Sequence, residues 1–215
     1  MRDTELVCNY CENNKGGVFD LNYLSSTVFK EIPVANLRKY VTRFVASGTL
    51  RQVSKGVYLI GETGEDDETR IINHYLKSSY MFSGMYAGES LIYLNKLCAY
   101  PPTITTIKSP LTKGNKNIGN IQVLEAKNIL SGDSGKIIEI LELIANSKYV
   151  DFDKKVFYNA LLTSFCRFYR DEVFETMHIE YPQIVYIRLA DILNDAHISN
   201  RVMDIYENKT RYNNL

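Results

Sequence analysis

Residues 19–60 read FDLNYLSSTVFKEIPVANLRKYVTRFVASGTLRQVSKGVYLI, two short amphipathic segments followed by a polar turn and a run of β-forming residues. In the second segment the apolar residues recur at intervals of three and four, as they do on one face of a helix. These residues are Val34, Leu37, Val41, Phe44 and Val45. Pro33 suits a first helical turn and Gly48 suits a C-terminal cap. The spacing predicts a helix over residues 33–47 whose apolar face lies against a core.

The residues on either side extend this pattern. Asp20 is suited to cap the N-terminus of a short helix that precedes the main one. After Gly48, the residues Leu50 and Val53 lead to a tight turn at Lys55 and Gly56, and the β-forming residues 57–60 follow. Two helices closed by a small hairpin are typical of a winged helix-turn-helix, which we predict for residues 1–61.

The charge of this region differs from that of the whole chain. The chain has 25 Lys and Arg against 25 Asp and Glu, but Glu31 is the single acid between residues 30 and 60. The basic residues of the same stretch are Lys30, Arg38, Lys39, Arg43, Arg51 and Lys55. A basic helix face beside a basic hairpin tip is the electrostatic pattern expected of a protein that binds duplex DNA.

We expect the helix at residues 33–47 to enter the major groove. Asn36 is suited to a bidentate pair with adenine, and Lys39 can reach guanine or phosphate. The other predicted DNA-contacting residues are Ala35, Arg38, Thr42 and Arg43 on this helix, Gln52, Ser54 and Lys55 on the hairpin, and Ser25 and Ser26 on the preceding helix. An alternative hypothesis is a winged helix that binds only other proteins, because a fold does not fix a function.

The acidic run at residues 61–68 is either a linker or the acidic first turn of a helix over residues 69–77. We therefore predict a second domain at residues 62–215 and an α+β fold class overall. The larger C-terminal α/β domain should have a small sheet, with strands at residues 103–107 and 118–124, and a helical end. Its clearest predicted core stripe consists of Val156, Phe157, Ala160, Leu161, Ser164, Phe165 and Phe168.

Catalytic and metal-binding motifs are scarce. His74, His178 and His197 have no metal-ligand spacing, and Cys8 and Cys11 fit a buried helix face better than a zinc site. We predict no catalytic residue, no metal and no cofactor, although a nuclease or nucleotidyltransferase with an unrecognised site remains a third hypothesis. No apolar run approaches the ~18 residues of a membrane span, and the charged first residues do not form a secretory signal. We expect a cytoplasmic protein with no membrane partner.

The residues LRKYVTRFVASGTLRQVSKGVY at positions 37–58 resemble the N-terminal winged helix of AbiEi-type antitoxins. The segments YAGESL at 86–91 and PPTITTI at 101–107 are similar to the start of that family's second domain, whereas the chain beyond about residue 127 matches only in being helical. The resemblance implies a transcriptional autorepressor from a toxin-antitoxin, abortive-infection system. Its implied partners are double-stranded DNA of its own promoter, with inverted repeats, and a nucleotidyltransferase toxin of the same operon, counteracted with or without a stable complex.

Overall fold

The computed structural model describes residues 3–77 and 84–212. Its N-terminal part contains three helices and three strands. In chain order they are α1 (Asp3–Asn13), β1 (Val18–Asp20), α2 (Leu21–Ser26), α3 (Val34–Ala46), β2 (Leu50–Ser54) and β3 (Val57–Ile60). The strands form an antiparallel sheet in the order β1-β3-β2. Gly56 turns the β2–β3 hairpin with a φ of 77°, a left-handed conformation that glycine adopts without strain. Asp20 caps α2, because its carboxylate accepts hydrogen bonds from the amides of Asn22 and Tyr23.

Fewer apolar residues of helix α3 are buried than its sequence predicts. Leu37 and Val41 are buried, and Phe44 packs partly buried beside them. Val34 and Val45 are 44% and 37% exposed, so their predicted place in the core is wrong. Both lie on the flank of the stripe and in the end turns of the helix, where neighbouring elements cover less of it.

Helix α4 (Asp67–Leu76) begins inside the acidic run, as one of the two sequence interpretations proposed. Asp66 caps it by accepting a hydrogen bond from the Thr69 amide at 2.9 Å. Arg70 is 3% exposed and donates to three main-chain carbonyls of the N-terminal part. These are the carbonyls of Gly16, Ile60 and Gly61, at 3.0–3.1 Å. The first turns of α4 are therefore attached to the end of the hairpin.

A second sheet follows, with β4 (Met85–Tyr86), β5 (Thr105–Ser109), β6 (Lys116–Ile118) and β7 (Ile121–Glu125). Its order is β4-β5-β7-β6, with β5 and β7 parallel. Strand β5 begins two residues later than predicted, and a turn at residues 119–120 divides the strand predicted at residues 118–124 between the end of β6 and β7. Helix α5 (Gly88–Leu94) lies between β4 and β5.

One hydrophobic core spans the predicted boundary at residue 61. Val18, Val57 and Leu59 from the first sheet pack in the same cluster as residues of α4 and the second sheet. Those residues are Ile71, Tyr75, Ile107, Ile118, Ile121 and Val123. The two predicted domains thus share buried apolar surface.

The C-terminal half is helical, with α6 (Gly132–Ala145), α7 (Lys155–Cys166), α8 (Asp171–Thr176), α9 (Gln183–Asp195) and α10 (Val202–Tyr212). Two 3-10 turns, Ser147–Tyr149 and Phe152–Lys154, connect α6 to α7. The middle of α6 is buried on nearly all sides, and α5, α7, α8 and α9 pack around it. None of the helices in the described ranges is both long and apolar enough to cross a membrane. The protein is thus a mixed α and β structure with two small sheets, in agreement with the predicted α+β class.

The predicted core stripe of α7 is wrong. Val156 and Phe157 are 78% and 68% exposed, and Ala160 and Ser164 are exposed as well. Of the seven predicted residues, Leu161, Phe165 and Phe168 are half-buried. The buried side chains are instead Tyr158, Leu162 and Cys166, a stripe with the same four-residue spacing on a different side of the helix. The Tyr158 hydroxyl donates to the Leu143 carbonyl at 3.1 Å, which fixes this orientation against α6.

Candidate nucleic-acid interface

The side of α3 opposite its buried stripe faces solvent. Because Leu37 and Val41 point inward, the helical period places Ala35, Lys39 and Thr42 outward. The exposed residues of the predicted set on α3 are Ala35, Arg38, Lys39, Thr42 and Arg43, and Asn36 is half-buried. Positions 36, 39 and 43 are neighbours along one side of the helix. The structure thus brings the two predicted base-reading residues and one phosphate-binding residue onto the same surface.

The cations of this surface have no acidic partners. Within residues 3–77 and 84–212, no carboxylate lies within 4.0 Å of the charged groups of Arg38, Lys39 or Arg43. Arg51, by contrast, pairs with Asp67 at 2.5 Å, and this hydrogen bond lowers the pKa of the Asp67 carboxyl. Both side chains are about half exposed, so the pair contributes little to stability, but it neutralises one of the six basic residues of the region.

Fewer side chains of the hairpin are free to contact DNA than the sequence predicts. Lys55 is exposed at its turn, and Gln52 is exposed on β2 with its amide donating to the Ser54 carbonyl at 3.3 Å. Ser54 is half-buried, and its hydroxyl donates to the carbonyl of Asn117 in β6 at 3.1 Å. Ser54 therefore links the hairpin to the second sheet, and the expectation that it faces DNA is not supported by this contact.

The other predicted hydroxyl contacts are also engaged. Ser25 donates to the Asn22 carbonyl at 3.0 Å, and Ser26 donates to the Tyr23 carbonyl at 2.9 Å. The Thr42 hydroxyl donates to the main chain of its own helix in the same way, at 3.0 Å. A hydroxyl has a single proton, so each of these groups must give up its bond before it can donate to a phosphate. The cations, rather than the hydroxyls, are the available donors.

A buried polar cluster that no local sequence pattern marks lies between the first sheet, α4 and β6. Asp20 is fully buried and forms an ion pair with Lys116 of β6, and the Tyr75 hydroxyl of α4 donates to the same carboxylate at 3.0 Å. Burial and the nearby Asp20 carboxylate raise the pKa of Tyr75 far above its ordinary value. Beside it, burial lowers the pKa of His74 to about 4, and the His74 Nε2 atom has no hydrogen-bond partner. Asp20 thus has two roles: it caps α2, and its ion pair with Lys116 links the first sheet to the second sheet.

A second buried cluster connects the second sheet to the helical half. Lys108 of β5 is 5% exposed and forms ion pairs with Glu142 at 2.9 Å and Glu180 at 3.1 Å. The Tyr181 hydroxyl donates to Glu142 at 2.8 Å, and burial together with that carboxylate raises the pKa of Tyr181 well above its ordinary value. Asn128 donates to the remaining Glu180 oxygen. Because these groups satisfy one another, the cluster acts as a structural link.

Two further sequence features concern cysteine and metal binding. Cys11 is buried in α1 and Cys8 is half-buried, and both are free thiols. Across the described ranges, no group of three or more His, Cys, Asp and Glu side chains is arranged to hold a metal ion.

No family model matches this chain, and no curated protein matches it. Among solved structures it is similar to the crystal structure of RV2827C protein from Mycobacterium tuberculosis, with 12% sequence identity and a TM-score of 0.40. The similarity covers 94% of this chain and 80% of that one. A likeness this distant carries no argument about function.

Proposed function

We propose that residues 1–61 form a winged helix that binds duplex DNA, and that the protein represses its own promoter. The element order α1-β1-α2-α3-β2-β3 and the strand order β1-β3-β2 support this proposal, because both are the arrangement in which a winged helix presents α3 and the hairpin together. Repression of its own promoter requires the protein to lie in the same compartment as that DNA, which we propose is the cytoplasm.

The observation that carries the proposal is the set of unpaired cations on α3. Arg38, Lys39 and Arg43 extend from a helix that has the small exposed residues Ala35 in its first turn and Ala46 at its C-terminal end. Small residues let the helix backbone approach a groove closely, and unpaired cations can neutralise phosphates without first breaking an ion pair. Lys55 at the hairpin turn supplies a fourth cation.

Salt dependence tests this proposal. If four cations meet phosphates, the logarithm of the association constant for the gene's own upstream region should fall with the logarithm of salt with a slope of about −3 to −4 per subunit. Fluorescence anisotropy with a labelled duplex measures this slope. Arg38→Ala with Arg43→Ala should reduce it by about 2.

The matched control removes two cations elsewhere, by Lys127→Ala with Lys148→Ala. Both are exposed and lie outside the N-terminal part. The control should leave the slope unchanged. Binding that is absent, or that does not respond to salt, contradicts the DNA-binding proposal.

We further propose that the protein is an antitoxin that counteracts a nucleotidyltransferase toxin of its own operon. The support is the resemblance of residues 37–58, 86–91 and 101–107 to AbiEi-type antitoxins. The test expresses the Asn36→Ala, Lys39→Ala variant from a foreign promoter beside the toxin, at matched levels. If repression and neutralisation are separate, this variant fails to repress and still protects cells, whereas a folded variant that gives no protection contradicts that separation.

A further inference from the structure

A cavity of about 590 Å³ lies between α7, α9 and the end of α6, and we call it the α7–α9 cavity. Its apolar lining consists of Ile144, Leu162 and Ile192, and the Tyr158 ring lies beside them. Polar and charged side chains form the rest of the wall. Cavities of this size, with an apolar surface and a few polar groups at fixed places, are typical of small-molecule sites.

Two cations meet at one end of the α7–α9 cavity. The Lys155 ammonium donates to the Ser147 carbonyl at 3.2 Å, and the Arg188 guanidinium donates to the Ser147 hydroxyl at 3.3 Å. Burial raises the pKa of Tyr158, and the Ser147 hydroxyl and the Arg188 charge oppose that rise, so both groups lie near the tyrosine hydroxyl. Among the described residues, no carboxylate lies within 4.0 Å of either cation. Two cations beside a hydroxyl are suited to a phosphate group, because a guanidinium can bind its oxygens through two N–H groups at once.

Two carboxylates line the same cavity further along α9. Asp191 and Asp195 follow Arg188 by three and seven residues, so the three lie on one side of the helix. At 1.5 Å per residue they lie about 4 and 10 Å beyond the guanidinium-bearing position. Neither carboxylate has an ion pair in the part of the chain that the structure describes. The cations and the carboxylates are therefore both available to a ligand.

A ligand that matches this charge order has an anionic group at one end and hydrogen-bond donors at the other. An amino acid does not fit, because its two charges are adjacent. A nucleic-acid strand does not fit either, because the carboxylates would repel its next phosphates. A free nucleoside monophosphate has the required form, since carboxylates accept hydrogen bonds from the amino groups of bases. Guanine has a ring N–H beside its amino group, so one carboxylate can accept from both.

We propose that the α7–α9 cavity binds guanosine monophosphate (GMP), with the phosphate at Lys155 and Arg188 and the base at Asp191 and Asp195. The proposal does not rest on DNA binding. The exposed cations are screened by water and salt, so we expect a dissociation constant on the order of 100 μM at low salt. Equilibrium dialysis of the full-length protein against radiolabelled GMP measures it.

Unlabelled competitors test each half of the ligand. Guanosine and ribose phosphate should each bind at least about 10-fold more weakly than GMP, because each lacks one set of contacts. Inosine monophosphate (IMP) lacks only the amino group of GMP and should bind about 10-fold more weakly, since it loses a hydrogen bond to a charged acceptor. Inorganic phosphate should compete no better than ribose phosphate.

Substitutions at the two ends of the cavity should have different effects. Arg188→Gln should weaken GMP by about 10-fold or more and leave guanosine unchanged. Asp191→Ala with Asp195→Ala should abolish the preference for GMP over IMP without weakening ribose phosphate. The controls Arg167→Gln and Asp204→Ala change exposed residues outside the cavity and should alter none of these values. Circular dichroism melting of each variant confirms that it is folded.

Three results would overturn the proposal. The first is no binding of GMP at about 1 mM. The second is competition by IMP or by inorganic phosphate that equals that of GMP, which would leave at most an anion site. The third is binding of GMP that a folded Arg188→Gln variant does not weaken.

Discussion

Ending the chain after Gly61 should destabilise the N-terminal part, because the shared core crosses that point. In the full chain Val18, Val57 and Leu59 are at most 1% exposed, and they pack against α4 and the second sheet. Burial of a Val or Leu side chain contributes about 1.5–3 kcal/mol, so uncovering all three costs roughly 5–8 kcal/mol at most. Small domains are stable by only about 5–15 kcal/mol, and those near 60 residues lie at the low end. We expect fragment 1–61 to be largely unfolded.

Extending the fragment to residue 77 should restore much of this stability. Helix α4 returns Ile71 and Tyr75 to the cluster, and it returns Arg70 with its three hydrogen bonds to main-chain carbonyls. A hydrogen bond from a charged group contributes about 1.5–3 kcal/mol when it is buried. Fragment 1–77 should therefore be more stable than fragment 1–61 by at least about 3 kcal/mol.

Urea titration of both fragments, followed by far-UV circular dichroism, measures this difference. Arg70→Met in fragment 1–77 is the internal control, since it keeps the length and removes the three bonds, and it should lower the midpoint. Equal free energies of unfolding for the two fragments would refute this reasoning and would support an independent domain that ends at residue 61.

Three other perturbations have defined outcomes. Asn36→Ala with Lys39→Ala should reduce DNA affinity by about 2–5 kcal/mol in anisotropy titrations and change the melting temperature little; unchanged affinity would exclude this face as the reading surface. Lys116→Met should lower the free energy of unfolding in urea by about 3 kcal/mol, because it leaves the buried carboxylate that caps α2 without its cation, and a change below about 0.5 kcal/mol would contradict that. Since burial lowers the pKa of His74 to about 4 in the folded state, from about 6.5 when unfolded, the unfolded chain binds the proton first and stability should fall by about 1–3 kcal/mol from pH 6.5 to 4. His74→Leu should remove this part of the pH dependence and His178→Asn, at an exposed position, should not; equal pH profiles for the two variants would rule His74 out.

Local signals predicted the N-terminal elements well. The period of Leu37 and Val41, the cap at Asp20 and the turn at Gly56 each depend on residues within a few positions of one another. Such interactions favour a helix or a turn before any tertiary contact forms. That is why α2, α3 and the hairpin could be placed to within one or two residues.

The wrong stripe on α7 shows where local signals end. Phe157 belongs to the predicted stripe and Tyr158 to the buried one. Both stripes are rich in apolar residues, and periodicity alone cannot say which of them faces the core. The choice depends on α6, whose Leu143 carbonyl accepts the Tyr158 hydroxyl. A second apolar stripe that remains exposed is also what an interaction surface looks like in sequence, so the two features could not be separated without the structure.

The two buried ion-pair clusters could not be predicted from the sequence, for a related reason. Asp20 and Lys116 are 96 positions apart, and Lys108 and Glu180 are 72 apart. Nothing in the neighbourhood of either lysine marks it as buried, because lysine is ordinarily exposed. Only the packing of β5 and β6 between the two halves brings these groups together.

The same packing limits which part of the hairpin DNA can reach. The Ser54 hydroxyl bonds to Asn117 of β6, and Arg51 pairs with Asp67 at the start of α4, so the length of β2 lies against the second half of the protein. The turn at Lys55 is the portion that remains free of such contacts among the described residues. With one cation at this turn and three on α3, the available phosphate contacts number about four, the value from which the salt slope of about −3 to −4 follows. A measured slope near −4.5, the value for about five phosphate contacts, would mean that Arg51 leaves Asp67 when DNA binds and supplies a further contact.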